Sequence, residues 1–161
     1  MTYTQLTSGL SSTRAAASNP DKWVVLPEII SKEPLGPLVR HGDHQWGDVV
    51  RWSLNAMIIA EELGITSENV DAQMSSNVPE VLRLLGVEGN YGEMLELSND
   101  WAYQIIKQIG NYSESYEANV GPDTPLEIAR GLNALWTQGG ILYAPPFLSL
   151  IHISEPTRRL N

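Results

Sequence analysis

The apolar residues change period at residue 41, and that change limits the fold more than any other feature. Before it the chain is punctuated. Asn19-Pro20-Asp21 is a turn signal, and Pro34-Leu-Gly-Pro-Leu-Val-Arg40 holds two prolines and a glycine that forbid a helix. Trp23-Val-Val-Leu26, closed by Pro27, reads as a short buried strand, and residues 6–17, small and Ala-rich, read as a modest helix. After it the spacing is helical. Asp43 is placed to cap a helix from His44. Trp46, Val50, Leu54, Met57 and Ile58 form one stripe on that helix, and Val49, Trp52, Ala56, Ile59 and Leu63 form another. A helix apolar on two faces is expected to be packed on both, and Gly64 is its natural stop.

Short helices follow over residues 67–74 and 79–85, the second entered through Pro79. Trp101, Ile105, Ile109, Tyr112, Tyr116 and Val120 continue a single amphipathic stripe from a cap at Asn99 or Asp100 to Gly121. Thr124-Pro-Leu-Glu127 reads as a capping box that opens a helix with Ile128, Leu132, Leu135 and Trp136 on its core face. The layout is helix-rich α/β, with short strands near the N-terminus and helices beyond. One or two short strands make no sheet alone, so the pattern reads as a piece of something larger rather than a small α-rich domain.

Charge and composition narrow the function. Ten Lys+Arg against nineteen Asp+Glu give a net charge of −9, which argues against a nucleic-acid partner. The chain has no cysteine, which removes disulfides, thiolate metal sites and cysteine nucleophiles together. No stretch approaches the roughly 20 apolar residues of a membrane span, so direct membrane insertion is not expected. Met1-Thr-Tyr-Thr-Gln-Leu6 has neither the basic nor the apolar region of a signal peptide.

His41-Gly-Asp-His44 is the one cluster that suggests a metal or acid/base centre, though its histidine spacing of three across a turn is not that of a helical ligand pair. A capping Asp flanked by polar residues accounts for the same letters. Gly86-Val-Glu-Gly-Asn-Tyr-Gly92 lacks the Lys-Ser/Thr of a phosphate loop and reads as a plain loop. Asn111-Tyr-Ser113 matches a glycosylation sequon but falls within the long stripe and is discounted. The residues by themselves show no catalytic site, no metal site and no cofactor motif.

Longer blocks carry a resemblance. They are Leu26-Pro-Glu-Ile-Ile-Ser-Lys-Glu-Pro-Leu-Gly-Pro37, Gln45-Trp46 with Val50-Arg51-Trp52, Ala60-Glu-Glu-Leu-Gly64, and Arg83-Leu-Leu-Gly86. To these are added Asn99-Asp-Trp-Ala102, Ile106-Lys-Gln-Ile-Gly-Asn-Tyr112, Ile128-Ala-Arg-Gly-Leu-Asn-Ala-Leu-Trp136 and Tyr143-Ala-Pro-Pro146. Together they resemble the C-terminal part of general L-amino-acid-binding periplasmic proteins of polar-amino-acid ABC importers, bacterial extracellular solute-binding protein family 3. The resemblance implies a C-terminal fragment of a two-lobed periplasmic-binding-protein (type II) fold that closes on an amino acid. It implies that residues 1–33 end the second lobe, 34–40 cross the hinge, and 41–146 return to the first lobe and add a helical extension. Residues 147–161 lie past the family's natural end and look like a translated sequencing adapter, a non-native tail.

The resemblance also implies a function: a non-enzymatic substrate-binding component that needs no cofactor and binds L-amino acids in the periplasm for an inner-membrane ABC permease. Such a fragment is not expected to bind by itself. In the family an Asp four residues before the Leu of the Ser-Gly-Leu block receives the ligand's α-ammonium. Counting back from Ser8-Gly9-Leu10, that position is Leu6, and Thr4 and Gln5 are the substitutes at hand. The alternatives are a small α-rich metal-dependent hydrolase using His41, Asp43 and His44, or a helical interaction module.

Overall fold

The computed structural model describes residues 3–26 and 36–147, residues 3–8 by their backbone alone. These form helices α1 (Tyr3–Ala15), α2 (His44–Glu62), α3 (Val70–Gln73), α4 (Pro79–Leu84), α5 (Trp101–Ile109) and α6 (Tyr112–Asn119), joined by 3-10 turns. No strand forms among the described residues, and an isolated bridge pairs Leu135 with Leu142. The chain divides into two compact units: unit 1 holds residues 1–38 and 115–142, and unit 2 holds 39–114 and 143–161. The division between Leu38 and Val39 falls within the proline-rich 34–40 segment, of which residues 34 and 35, like residues 27–33 and 148–161, lie outside the described residues.

In unit 2, α2 begins as its sequence dictates. Asp43 Oδ1 accepts the Trp46 backbone N–H at 3.1 Å, satisfying an amide the first turn would otherwise leave bare. It ends as dictated too. Gly64 takes φ +67 and donates to Glu61 O, while Ile65 donates to Ala60 O, the paired bonds of a Schellman motif. Trp52, Ala56 and Ile59, from the second of the two apolar stripes, are buried, and α2 packs on α5. The first stripe departs from expectation. Ile58 is buried, but Trp46 and Leu54 are exposed, so α2 is covered on one face and only partly on the other.

The single stripe expected over residues 101–120 is two helices. Gly110 sits at φ +91, ψ −176, a conformation that interrupts the helix, and a Cβ there would lie 2.7 Å from the Glu114 Cβ. Asn111 then opens α6 with a capping box. Its Oδ1 accepts from the Glu114 N–H at 3.0 Å and its own N–H donates to Glu114 Oε2 at 2.8 Å. The box is anchored outward as well. Asn111 Nδ2 donates to Ile65 O at 2.8 Å, and the Ser67 N–H and hydroxyl donate to the Glu114 carboxylate. Asn111 is accordingly buried, which closes the sequon at that position.

Unit 1 overturns two expectations. Trp23, Val24 and Leu26 are exposed and unpaired in any strand, so the buried strand does not form among the described residues. No α-helix follows Thr124 either. Thr124 Oγ1 donates to Gly121 O and accepts from the Leu126 N–H instead of capping Glu127. Glu127 itself takes φ +51, outside the helical region, and the Ile128 N–H bonds back to Val120 O. Short 3-10 turns at Gly131–Asn133 and Trp136–Gln138 take the helix's place, with Ile128 and Leu135 buried but Leu132 and Trp136 exposed.

Phe147, which the sequence reading set with the tail, is buried in unit 2 against Trp52, Tyr91 and Trp101.

Candidate functional site

Thr4, Gln5 and Leu6 occupy the first turns of α1. Successive helix positions turn by about 100°, so these three spread around much of the helix rather than sharing one face. The far end of α1 is tied down. Ser11 is buried, the Thr13 hydroxyl donates to Gly9 O at 2.9 Å, and Arg14 Nη2 pairs with Glu127 Oε2 at 2.5 Å. Within unit 1 the Arg130 guanidinium lies 5.4 Å from the Tyr116 ring centroid, while its Nε and Nη2 donate to Asn133 O at 3.1 and 2.8 Å. The Tyr116 hydroxyl donates to Ala129 O at 3.1 Å. Both arginines thus serve the fold of the 120–135 stretch. Arg14 and Glu127 stand 113 residues apart, and no local pattern in the sequence announces their pairing. The Asn111–Glu114 box did have a signal, Asn followed three residues later by Glu directly after a glycine.

His41, Asp43 and His44 are exposed at the start of α2, where Asp43 serves as the helix cap. No group of three His, Asp or Glu side chains among the described residues could hold a metal ion. The geometry therefore gives Asp43 a capping role and lends the hydrolase reading no support. The Gly86–Gly92 loop is likewise a packing device. A Cβ on Gly86 would meet Asn99 O and one on Gly92 would meet Ser98 O, and the Gly92 N–H donates to Asn99 Oδ1 at 3.0 Å. These glycines let the loop close on the turn before α5 rather than on a phosphate.

One surface cluster has perturbed titration. Asp71 accepts from Lys107 Nζ at 2.7 Å and from the Tyr103 hydroxyl at 2.9 Å. The Lys107 hydrogen bond, then that of Tyr103, holds the Asp71 carboxyl below its ordinary range. The same carboxylate raises Lys107 and Tyr103 above theirs. All three are solvent-facing, and none is poised near neutral pH for proton transfer. Among the described residues no helix is long and apolar enough to cross a membrane.

Known proteins decide what this framework belongs to. No family model matches the chain. The amino-acid ABC transporter-binding protein YhdW of Escherichia coli K12 is 58% identical over 140 residues, 86% of this chain and 41% of its own length. The glutamate/glutamine/aspartate/asparagine-binding protein BztA of Rhodobacter capsulatus is 56% identical over 146 residues, 90% of this chain and 43% of its own length. The general L-amino acid-binding periplasmic protein AapJ of Rhizobium johnstonii is also 56% identical over 146 residues, again 43% of its own length. The chain is homologous to the C-terminal portion of amino-acid ABC transporter-binding proteins. Its fold agrees. A periplasmic binding protein of an ABC transporter from Brucella ovis, with glutathione bound, superposes at a TM-score of 0.84 and 52% identity, over 87% of this chain and 44% of that one. The fold class is thus that of part of a periplasmic binding protein, and the relatives are solute-binding components of ABC transporters. The chain spans about two-fifths of the length of the curated relatives it matches.

Proposed function

We propose that the chain is a C-terminal portion of the substrate-binding component of an ABC importer for L-amino acids, acting in the periplasm and serving an inner-membrane permease. The observation that carries this reading is identity of 56–58% over 140–146 residues to amino-acid-binding proteins, one named for an ABC transporter and one as periplasmic. The activity contains no covalent step. A binding protein of this kind works by holding its ligand more tightly in one conformation than in another, so that occupancy is converted into a shape a partner reads.

In this reading residues 1–33 belong to the second lobe, 34–40 cross the hinge, and 41–146 contribute first-lobe and extension residues. The unit division between Leu38 and Val39 supports a crossing there, while the grouping of 115–142 with residues 1–38 favours assigning that stretch to the same lobe as α1. The α-ammonium of the ligand falls to the start of α1. With Leu6 at the position of the family's Asp, Thr4 and Gln5 offer neutral oxygens, and a neutral acceptor holds an ammonium less strongly than a carboxylate does. The proposal therefore includes weak binding.

A chimera tests it. Residues 1–146 of this chain replace the matching C-terminal portion of BztA, and L-glutamate binding is measured by isothermal titration beside BztA itself. Saturable binding is expected, with Leu6→Asp tightening it and Gln5→Ala weakening it. A chimera that is folded by circular dichroism yet binds nothing, while BztA binds, overturns the reading. Unchanged affinity in Leu6→Asp removes the ammonium site from α1.

A further inference from the structure

We propose that Trp52, Tyr91 and Trp101 form a receptor slot in unit 2 for one planar apolar ring, and that Phe147 is an occupant built into the chain as a strap. Phe147 is 2% exposed. It meets Trp52 and Tyr91 edge-on, with centroids 5.9 and 5.3 Å away and ring planes at 87° and 64°. It stacks on Trp101 at 6.0 Å with planes 24° apart. These are the offset and edge-to-face arrangements that aromatic quadrupoles favour.

The walls come from elements separate from the ring that fills them. Trp52 comes from the middle of α2, Trp101 is the first residue of α5, and Tyr91 lies in the glycine loop between α4 and α5. None of the three is near Phe147 in sequence. The approach is stiff: Ala144 is buried, and Pro145 and Pro146 fix their own φ before Phe147 enters. A proline-restricted strap loses little chain freedom on docking. The indole Nε1 of Trp52 is buried with no hydrogen-bond acceptor among the described residues, so no polar contact of that indole is lost when one ring is exchanged for another. The walls present ring faces and edges, so the ligand class is a flat apolar ring, phenyl or indole.

The test uses the full 161-residue chain with Phe147→Ala, adding benzene or indole as the probe. A vacated apolar cavity of this kind binds benzene in preference to water. Phe147→Ala should lower Tm by roughly 6–20 °C. It should also shift the tryptophan emission to the red, and saturating benzene should restore part of the Tm while leaving the unsubstituted chain unmoved. A Phe147→Ala chain with unchanged Tm and emission overturns the proposal, as does a folded one that benzene fails to stabilise. Should Phe147→Ala be unfolded, Phe147→Leu replaces it: lowered Tm with red-shifted emission supports the slot, and values equal to the unsubstituted chain overturn it.

Discussion

Unit 2 buries Ile65, Val70, Leu84, Leu85, Leu95 and Ile106 almost completely, drawn from α2 through α5 and the turns between them. Unit 1, among its described residues, buries the apolar side chains of Tyr116, Ile128 and Leu135 and exposes Trp23, Val24, Leu26, Trp136 and Ile141. The two stretches are similarly rich in apolar residues, and among the described residues they differ in how many of those residues are buried. Where α2 meets α5, an amphipathic pattern becomes a core. Where a run such as Trp23, Val24 and Leu26 is left exposed, the same kind of pattern becomes apolar surface, of the sort that marks an interaction face or a liability.

The largest test of that contrast sets core against rim. Leu84→Ala in unit 2 should cost about 2–5 kcal/mol in denaturant unfolding, because Leu84 is fully buried. Leu132→Ala in unit 1 should stay within about 0.5 kcal/mol. Equal losses would erase the distinction. The next compares two candidate capping boxes. Asn111→Ala removes the acceptor for the Glu114 N–H and the donor to Ile65 O, and should cost about 1–3 kcal/mol. Thr124→Ala, whose hydroxyl only trims a turn, should cost less than half as much in the same titration.

A smaller effect tests the His41–His44 trio. Asp43→Ala should cost about 1 kcal/mol, the worth of a helix cap. Added zinc or EDTA should leave the Tm of the unsubstituted chain unchanged; a zinc-dependent rise would revive the metal reading. The smallest effect belongs to Asp71 and Lys107. Asp71 is held below its ordinary 3.8, so its contribution is present above that value and is lost as pH falls through its lower folded value. Lys107 is raised above its ordinary 10.5, so its contribution is present below that value and is lost as pH rises through its higher folded value. Asp71→Asn should therefore lower Tm slightly between pH 3.8 and 10.5, with the difference shrinking outside that window and in high salt, as calorimetry across pH and ionic strength would show.

Much of unit 2 was legible in the sequence because its signals are local. Asp43, Gly64, Pro79 and the Gly86–Gly92 loop act within a few residues of themselves, and each does what its chemistry dictates. The break at Gly110 is equally local, and the regular spacing of Trp101, Ile105, Ile109 and Tyr112 masks it. In the structure Ile106 takes the buried position and Ile109 is exposed. For the proposed ligand contacts the sequence offers only positions on the chain. Leu6 falls on a helix as expected and Thr4 and Gln5 extend it, but what a helix terminus can hold depends on surfaces that no local pattern encodes.

The sequence by itself determined where α2 starts and stops and where α4 starts, since Asp43, Gly64 and Pro79 satisfy or deny backbone hydrogen bonds within one turn. It also determined the kinship to amino-acid-binding proteins, since long blocks of residue identity need no coordinates to be recognised. Tertiary structure alone decided which stripe of α2 is core, that Thr124–Glu127 makes a turn while Glu127 pairs with Arg14, and that Phe147 closes an aromatic cluster instead of trailing off. Each of these joins residues far apart in the chain, and the free energy that settles them comes from burial and pairing that exist only once the distant partner has arrived.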